Sequence, residues 1–191
     1  MKLISDFDDV LFANTLKFKV HLFNCLEEAG VNRLNAESEY RNVRITGIPF
    51  SLKRFLALMA VKNGLDMETM RGLYEKILEP AKDFLNIELI EIIKNIGKEN
   101  CYLVTNGEDQ YQKDKLEKTG VSSLFKEVYI VPETKKVIIE KICTENKDEK
   151  VIFIEDRMRF IEDLDMAKLP NLKVIVFDEV GLEKLKTELK A

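Results

Sequence analysis

The sequence has little of what zinc sites and disulfide frameworks require. It contains one histidine, His21, and three cysteines that are far apart and include no Cys-x-x-Cys pair. This composition argues against a zinc site, because structural zinc is held by four clustered histidine and cysteine ligands. Three scattered cysteines fit reduced thiols in a cytoplasmic protein better than a disulfide framework. His21 lies in an apolar helical pattern, where we expect a structural role.

The sequence also lacks long apolar runs and an excess of positive charge. Three uncharged residues, 3–5, separate Lys2 from Asp6, whereas a secretory signal needs a longer apolar stretch. We expect no membrane association, since every apolar run is too short to cross a bilayer. The 30 Lys and Arg residues are interspersed with 34 Asp and Glu residues, and the net charge is −4, which argues against nucleic-acid binding. The expected location is the cytoplasm.

What the sequence does contain is enough apolar residues for a packed core. Hydrophobic residues make up 46% of 191, which suits one sizeable domain, or one domain with a small insert. Five short apolar runs indicate buried strands, at residues 3–4, 101–104, 128–131, 151–154 and 174–177. Continuous rather than alternating runs are typical of parallel strands covered on both faces. The last four strands are separated by helical patterns at 109–119, 134–144 and 157–168. The sequence therefore predicts a doubly wound, mostly parallel, Rossmann-like α/β sheet.

The interval between the first two strands breaks this alternation. Its patterns are all helical, at residues 15–29, 51–63, 66–78 and 87–96. A parallel crossover needs one helix rather than four. We therefore expect residues 13–84 to form an inserted helical subdomain, and residues 1–12 and 85–191 to form the sheet domain.

Acidic pairs follow the first and fourth predicted strands. In an open α/β sheet, ligands collect at the carboxyl ends of the strands. Asp6 and Asp8 would repel each other there unless a cation or a shared proton offset the repulsion. Mg²⁺, a hard cation that prefers oxygen ligands, suits such a pair in phosphate chemistry. Glu155 and Asp156 form the second pair and can also supply metal ligands.

The second and third strands are followed by groups that can bind phosphate. Thr105 offers a hydroxyl and Asn106 a backbone amide, and Lys135 or Lys136 can reach back over the strand ends to neutralise charge. Each signal has an ordinary explanation alone: Asn-Gly is a common turn, such lysines are often solvated, and acids suit a helix N-terminus. Their order favours a site, because all four sets should meet at one edge of a parallel sheet.

With these residues in place, the sequence resembles the haloacid dehalogenase-like hydrolase superfamily over nearly its whole length. Residues 6–11 are similar to the first motif, residues 104–107 to the second, Lys135 or Lys136 to the third, and residues 155–156 to the fourth. The insert is similar to the helical cap of a subfamily that includes many small-molecule phosphatases. The resemblance implies a Mg²⁺-dependent phosphatase that hydrolyses a small phosphorylated metabolite through an aspartyl-phosphate.

The resemblance also implies a role for each residue. Asp6 would be the nucleophile and Asp8 the general acid/base. The Thr105 hydroxyl and the Asn106 amide would bind phosphate oxygens, and the lysine would screen charge. The Mg²⁺ ligands would be Asp6, the backbone carbonyl of Asp8 and Asp156, with Glu155 as a further candidate.

The sequence departs from the family pattern in three places. Asp9 stands where glycine is frequent. The lysine position is ambiguous, and we prefer Lys135 because it places Ile138, Ile139 and Ile142 on the core side of the helix. A second acid after Asp156 is missing, because Phe160 and Ile161 stand there.

Two alternatives differ in chemistry, and Asp8 argues against a third, since dehalogenase members lack this aspartate. A phosphoglucomutase-type phosphotransferase would carry an arginine in the loop at residues 47–50, which has none. A phospho-accepting regulatory module would place its aspartate at the end of the third strand, where Val131 and Pro132 stand. As a hypothesis, some residues near that loop contact the leaving group, namely Arg41, Arg44, Phe50, Lys53 and Arg54. Substrate identity and oligomeric state stay open.

Overall fold

The computed structural model describes residues 1–190, apart from the side chain of Met67. These residues form two compact units. The first, which we call the sheet unit, consists of Met1–Phe12, Leu85–Asn106 and the described residues from Val121 onward. The second, which we call the helical unit, consists of Ala13–Phe84 and Gly107–Gly120.

The sheet unit is built on five parallel strands among the described residues, which confirms the predicted α/β sheet. The strands are β1 (Lys2–Ser5), β2 (Cys101–Asn106), β3 (Glu127–Val131), β4 (Val151–Glu155) and β5 (Leu172–Val176). Their order across the sheet is β3-β2-β1-β4-β5. The direction of winding therefore reverses between β1 and β4, and such a reversal is where open α/β sheets bind ligands.

Apolar strand residues explain why the sheet is covered. Every residue of β4 is buried, and so are Leu3 and Ile4 of β1. The helices of this unit are α5 (Ile87–Ile96), α7 (Lys136–Glu145), α8 (Met158–Glu162) and α9 (Gly181–Lys190). On one face, Ile139 and Ile142 of α7 join Ile4 and Phe153 in one core cluster. This burial of continuous apolar runs is what parallel strands require.

The helical unit contains α1 (Lys19–Glu28), α2 (Arg33–Ile45), α3 (Leu52–Asn63), α4 (Met67–Leu78) and α6 (Asp109–Thr119), with a π-helical segment at Asn14–Phe18. The Asp66 side chain accepts a hydrogen bond from the Thr69 amide and caps α4. An aromatic cluster packs these helices together, with ring centroids 4.9–5.7 Å apart, and consists of Phe23, Tyr40, Phe50, Phe55 and Tyr111.

Helix α6 belongs to the helical unit, whereas the sequence analysis placed it with residues 85–191. The physical reason lies in its contacts. Tyr111 packs against Phe50, and Asp114 accepts a hydrogen bond from Tyr74 and lies 3.5 Å from the Lys53 ammonium. These contacts join α6 to α3, α4 and the segment before α3.

Two other elements differ from expectation. Helix α2 gave no apolar signal because most of its residues are polar, and Ala36 is its one fully buried residue among those described. The predicted helix at 157–168 is broken into α8 and a 3₁₀ turn at Met166–Lys168. Leu164 and Leu169 are both buried, although positions five apart on a continuous helix would point about 140° apart. The break allows both side chains to reach the core.

No helix within residues 1–190 combines the length and the apolar character that a membrane span demands.

The first residue of α5 depends on a side-chain cap, which gives a stability prediction. Asn86 accepts a hydrogen bond from the Leu89 amide at 3.1 Å. We expect Asn86→Ala to lower the free energy of unfolding by about 1 kcal/mol, because the amide loses its partner. Thermal unfolding should show a Tm lower by about 2–4 °C, whereas Asn86→Asp, which keeps an acceptor, should unfold near the wild-type temperature. Equal losses in both variants would contradict the capping role.

Candidate active site

Three strand ends and the start of one helix bring the candidate residues of the sheet unit to the same edge. Ser5, the last residue of β1, pairs with Leu103 of β2 and Ile154 of β4. Asp6, one position further, is therefore level with Glu155. Thr105 and Asn106 end β2, and Lys135 directly precedes α7.

The Lys135 ammonium is the centre of this arrangement. Its Nζ lies 2.7 Å from Asp6 Oδ1 and 2.5 Å from Glu155 Oε2, and all three side chains are buried. Lys136, by contrast, is exposed and lies 3.9 Å from Glu140 on its own helix. The structure thus places Lys135, and not Lys136, against Asp6.

The chain turns sharply after Asp6. The Asp6 amide donates to the Ile154 carbonyl at 3.1 Å, and the Leu11 and Phe12 amides both donate to the Phe7 carbonyl. Asp9 has a φ of 61°, a left-handed conformation that aspartate tolerates better than most residues and glycine adopts freely. This conformation explains why aspartate can stand where glycine was expected. The turn leaves Asp8 half-exposed, one turn position away from the buried Asp6.

Three carboxylates lie close enough to hold one cation. Asp6, Glu155 and Asp156 each offer an oxygen, and these oxygens lie within 4.8 Å of one another. Asp156 Oδ1 is buried and has no hydrogen-bond partner among the described residues. An orphaned buried carboxylate oxygen is costly, and a hard cation such as Mg²⁺ fits this donor set.

Glu155 differs from the other two carboxylates because both its oxygens are engaged. Oε2 contacts the Lys135 ammonium, and Oε1 accepts a hydrogen bond from the Arg157 amide at 3.0 Å. The sequence suggested Glu155 as a further metal ligand. The geometry gives it a second duty, which is to hold the lysine.

Burial and mutual repulsion change the acidity of the two aspartates. Burial raises the pKa of Asp6 to about 6, although Lys135 opposes this shift. Burial, followed by repulsion from Asp6 and Glu155, raises the pKa of Asp156 to about 8. Since one carboxylate affects the other, the protons bind to the group as a whole. Without a cation, the site therefore holds protons at neutral pH.

The end of β2 supplies groups that suit phosphate oxygens. The Thr105 hydroxyl is buried and has no hydrogen-bond partner among the described residues. The Asn106 side chain donates to the carbonyls of Val131 at 3.0 Å and Glu133 at 2.9 Å, which fixes the loop after β3. A buried hydroxyl without a partner is uncommon in a native protein unless a ligand or water satisfies it.

The suggested leaving-group residues lie in the helical unit. Arg41 and Arg44 are exposed, and exposed Arg54 donates to the Pro49 carbonyl at 2.7 Å. Phe50 is buried in the aromatic cluster. Its ring therefore packs the core of that unit.

Two residues of α8 were not anticipated as parts of the site. The Lys135 ammonium lies 4.7 Å from the centroid of the Phe160 ring, a cation–π distance. On that ring, the Arg159 guanidinium carbon lies 4.4 Å from the centroid. The sequence showed that an acid was missing at Phe160, but it gave no signal for the ring contact.

The strand order, the site at the winding reversal and the helical segment after β1 define the fold of the haloacid dehalogenase-like hydrolases. Solved structures with this fold match the chain. One, assigned as a haloacid dehalogenase-like hydrolase from Burkholderia xenovorans, has a TM-score of 0.70 at 13% identity, covering 95% of this chain and 89% of that one.

Two further structures agree. The HAD-hydrolase YfnB from Bacillus subtilis, bound to magnesium, has a TM-score of 0.56 at 15% identity, covering 100% of this chain and 98% of that one. A protein from Thermotoga maritima, assigned as a beta-phosphoglucomutase, has a TM-score of 0.59 at 17% identity, covering 98% and 99%. No family model and no curated protein sequence matches the chain. The likeness therefore lies in the fold.

The raised pKa values give a prediction about pH and Mg²⁺. The folded protein binds protons at Asp156 that the unfolded chain releases, since the pKa of Asp156 rises from 3.8 to about 8. Stability from this group is therefore lost as pH rises from about 4 to about 8. Without metal, we expect Asp156→Asn, which does not titrate, to gain Tm relative to wild type between pH 5 and pH 8.

Added Mg²⁺ should stabilise wild type more at pH 8 than at pH 5, because it competes with the protons. The variant should respond much less. Thermal unfolding in EDTA and in Mg²⁺ measures both effects, and the same pH dependence in the two proteins would contradict the assignment.

Proposed function

We propose that the protein is a cytoplasmic, Mg²⁺-dependent phosphatase of the haloacid dehalogenase-like hydrolase family that acts on a small phosphorylated metabolite. The observation that carries the proposal is the buried contact of Lys135 with Asp6 and Glu155, beside the unpartnered oxygens of Asp156 and Thr105. Buried anions next to a single cation are costly to maintain, and perturbed groups of this kind cluster at functional sites.

In the first step, Asp6 acts as the nucleophile. Its carboxylate oxygen bonds to phosphorus while the bond from phosphorus to the leaving-group oxygen breaks, which produces an aspartyl-phosphate. Lys135 holds the carboxylate in one orientation and screens its charge from the approaching phosphate. Mg²⁺, bound by Asp6, Asp156 and the Asp8 carbonyl, would offset the negative charge of the phosphate.

Asp8 transfers the protons. Half-exposed on the turn after Asp6, it gives a proton to the leaving alkoxide. It then takes a proton from the water that attacks the aspartyl-phosphate, so Asp6 and Asp8 both return to their starting states. A positioned acid/base of this kind contributes roughly 10²–10⁴-fold. The Thr105 hydroxyl and the Asn106 amide hold phosphate oxygens through both steps, because charge spreads over these oxygens during transfer.

A phosphotransferase of the same fold is the second candidate. It is favoured by the likeness to the Thermotoga maritima structure assigned as a beta-phosphoglucomutase. Conversion of one sugar phosphate isomer into another, without release of phosphate, would support it. Release of phosphate from simple esters supports the phosphatase.

The nucleophile assignment predicts the effect of one substitution. Asp6→Asn should lower hydrolysis of p-nitrophenyl phosphate by at least about 10³-fold, because an amide cannot form the aspartyl-phosphate. EDTA should abolish the wild-type activity, and Mg²⁺ should restore it. Circular dichroism checks that the variant is folded. Substantial Mg²⁺-dependent turnover by the folded variant would rule out Asp6 as nucleophile.

The lysine assignment predicts a difference between two neighbours. Lys135→Gln should lower kcat/KM by about 10²–10³-fold, as loss of one preorganised donor does. It should also cost about 3–5 kcal/mol of stability, because Asp6 and Glu155 lose their buried cation. Lys136→Gln removes the same charge at an exposed position and should change kcat/KM by less than about threefold. The two variants are compared at a temperature where both are folded, and equal losses would contradict the assignment.

A further inference from the structure

A second cation lies at this edge of the sheet unit, outside the cluster around Lys135. Arg159 is in the first turn of α8 and is exposed. Its guanidinium carbon lies 4.4 Å from the Phe160 ring centroid, and Nη2 donates to Asn106 Oδ1 at 3.2 Å. A ring and an amide oxygen therefore hold the planar group in place without neutralising it.

The charge of Arg159 is uncompensated within residues 1–190. The two contacts above are its only polar or ring contacts in that range, and neither partner is an anion. Nearby cations differ in this respect. Lys135 contacts two carboxylates, and Arg157 Nε lies 3.9 Å from Asp156 Oδ2. A guanidinium has five N–H donors, so most of those on Arg159 are available to a ligand.

Asn106 sets where this cation lies. Its side-chain nitrogen donates to the carbonyls of Val131 and Glu133, so its oxygen is directed to Arg159 by three hydrogen bonds in all. The same residue carries the backbone amide that we assign to a phosphate oxygen, and Thr105 precedes it. Arg159 is thereby tethered to the residue beside the proposed phosphate site, while Lys135 occupies the position next to the nucleophile.

We infer that Arg159 binds a second anionic group of the substrate, which would make the preferred substrate a phosphate monoester that also carries a carboxylate or another phosphate. The inference rests on the proposed phosphatase function. Its physical basis is the fork of guanidinium N–H donors, which pairs with carboxylate or phosphate oxygens in a bidentate manner. The transferred phosphate is already served by Thr105, the Asn106 amide and Lys135, so the free donors suit a different anion.

The test compares esters that differ in one charged group. Phenyl phosphate is the reference, and its 2-, 3- and 4-carboxy derivatives place a carboxylate at three separations from phosphorus. Phenylene bisphosphates place a second phosphate at the same positions, so the two kinds of anion are distinguished. For wild type in Mg²⁺, we expect kcat/KM for at least one anionic ester to exceed that for phenyl phosphate by about tenfold or more.

Arg159→Gln should remove this preference. We expect kcat/KM for the preferred ester to fall by about 10- to 100-fold, and that for phenyl phosphate by less than about threefold. Arg159→Lys keeps the charge without the fork and should retain part of the preference. Lys168→Gln is the matched control, since Lys168 is an exposed cation of the same unit, paired with Asp165 at 3.0 Å. It should keep the wild-type preference.

Three outcomes would overturn the inference. Wild type could show no preference for any anionic ester, or Arg159→Gln could lower turnover of phenyl phosphate as much as that of the preferred ester. The same loss of preference in Lys168→Gln would indicate a general charge effect. Failure of the proposed function looks different: no ester would be hydrolysed in Mg²⁺, or hydrolysis would survive Asp6→Asn.

Discussion

The ammonium of Lys135 between two buried carboxylates is the interaction on which the edge of the sheet depends. Asp6, Glu155 and Asp156 bring three acidic groups together, and Lys135 supplies one buried positive charge. Charge without compensation is expensive in a buried environment, which is why the pKa values of Asp6 and Asp156 are raised. The remaining imbalance can be removed by protons or by a divalent cation. The site is thus suited to a cation whose binding releases protons.

The topology of the sheet decides which residues can meet in this way. Strand β1 lies between β2 and β4, so Asp6 is adjacent to the ends of both. Lys135 follows β3, which is separated from β1 by β2. Only a long side chain can cross that distance, and lysine combines length with a compact charge. The requirement for lysine at this position therefore follows from strand order as well as from chemistry.

Much of the sheet unit could be predicted from the sequence, because its signals are local. Buried parallel strands appear as continuous apolar runs, and α6 begins at Asp109 and ends at Thr119, as its pattern indicated. Helix α2 was not predicted, since a mostly polar helix lacks the apolar spacing on which the prediction relies. The break after α8 was missed for a related reason. It depends on where Leu164 and Leu169 pack, which is a property of the tertiary structure.

The candidate site shows the same division between local and tertiary information. The types of residue at the four strand ends could be predicted, because each follows its own apolar run. The sequence could not choose between Lys135 and Lys136 by residue type, and burial in the structure separates them. The tether from Arg159 to Asn106 spans 53 positions of the chain, so no spacing pattern indicates it.

The missing acid at Phe160 can be understood from the same charge balance. An acid there would add a fourth negative group beside a single buried lysine. The ring instead approaches the Lys135 ammonium to 4.7 Å and stabilises it without adding charge. Glu155 already uses both its oxygens, on Lys135 and on the Arg157 amide, whereas Asp156 keeps one buried oxygen without a partner. The two neighbouring acids therefore divide the work: Glu155 secures the lysine, and Asp156 is the one left with a coordination position to fill.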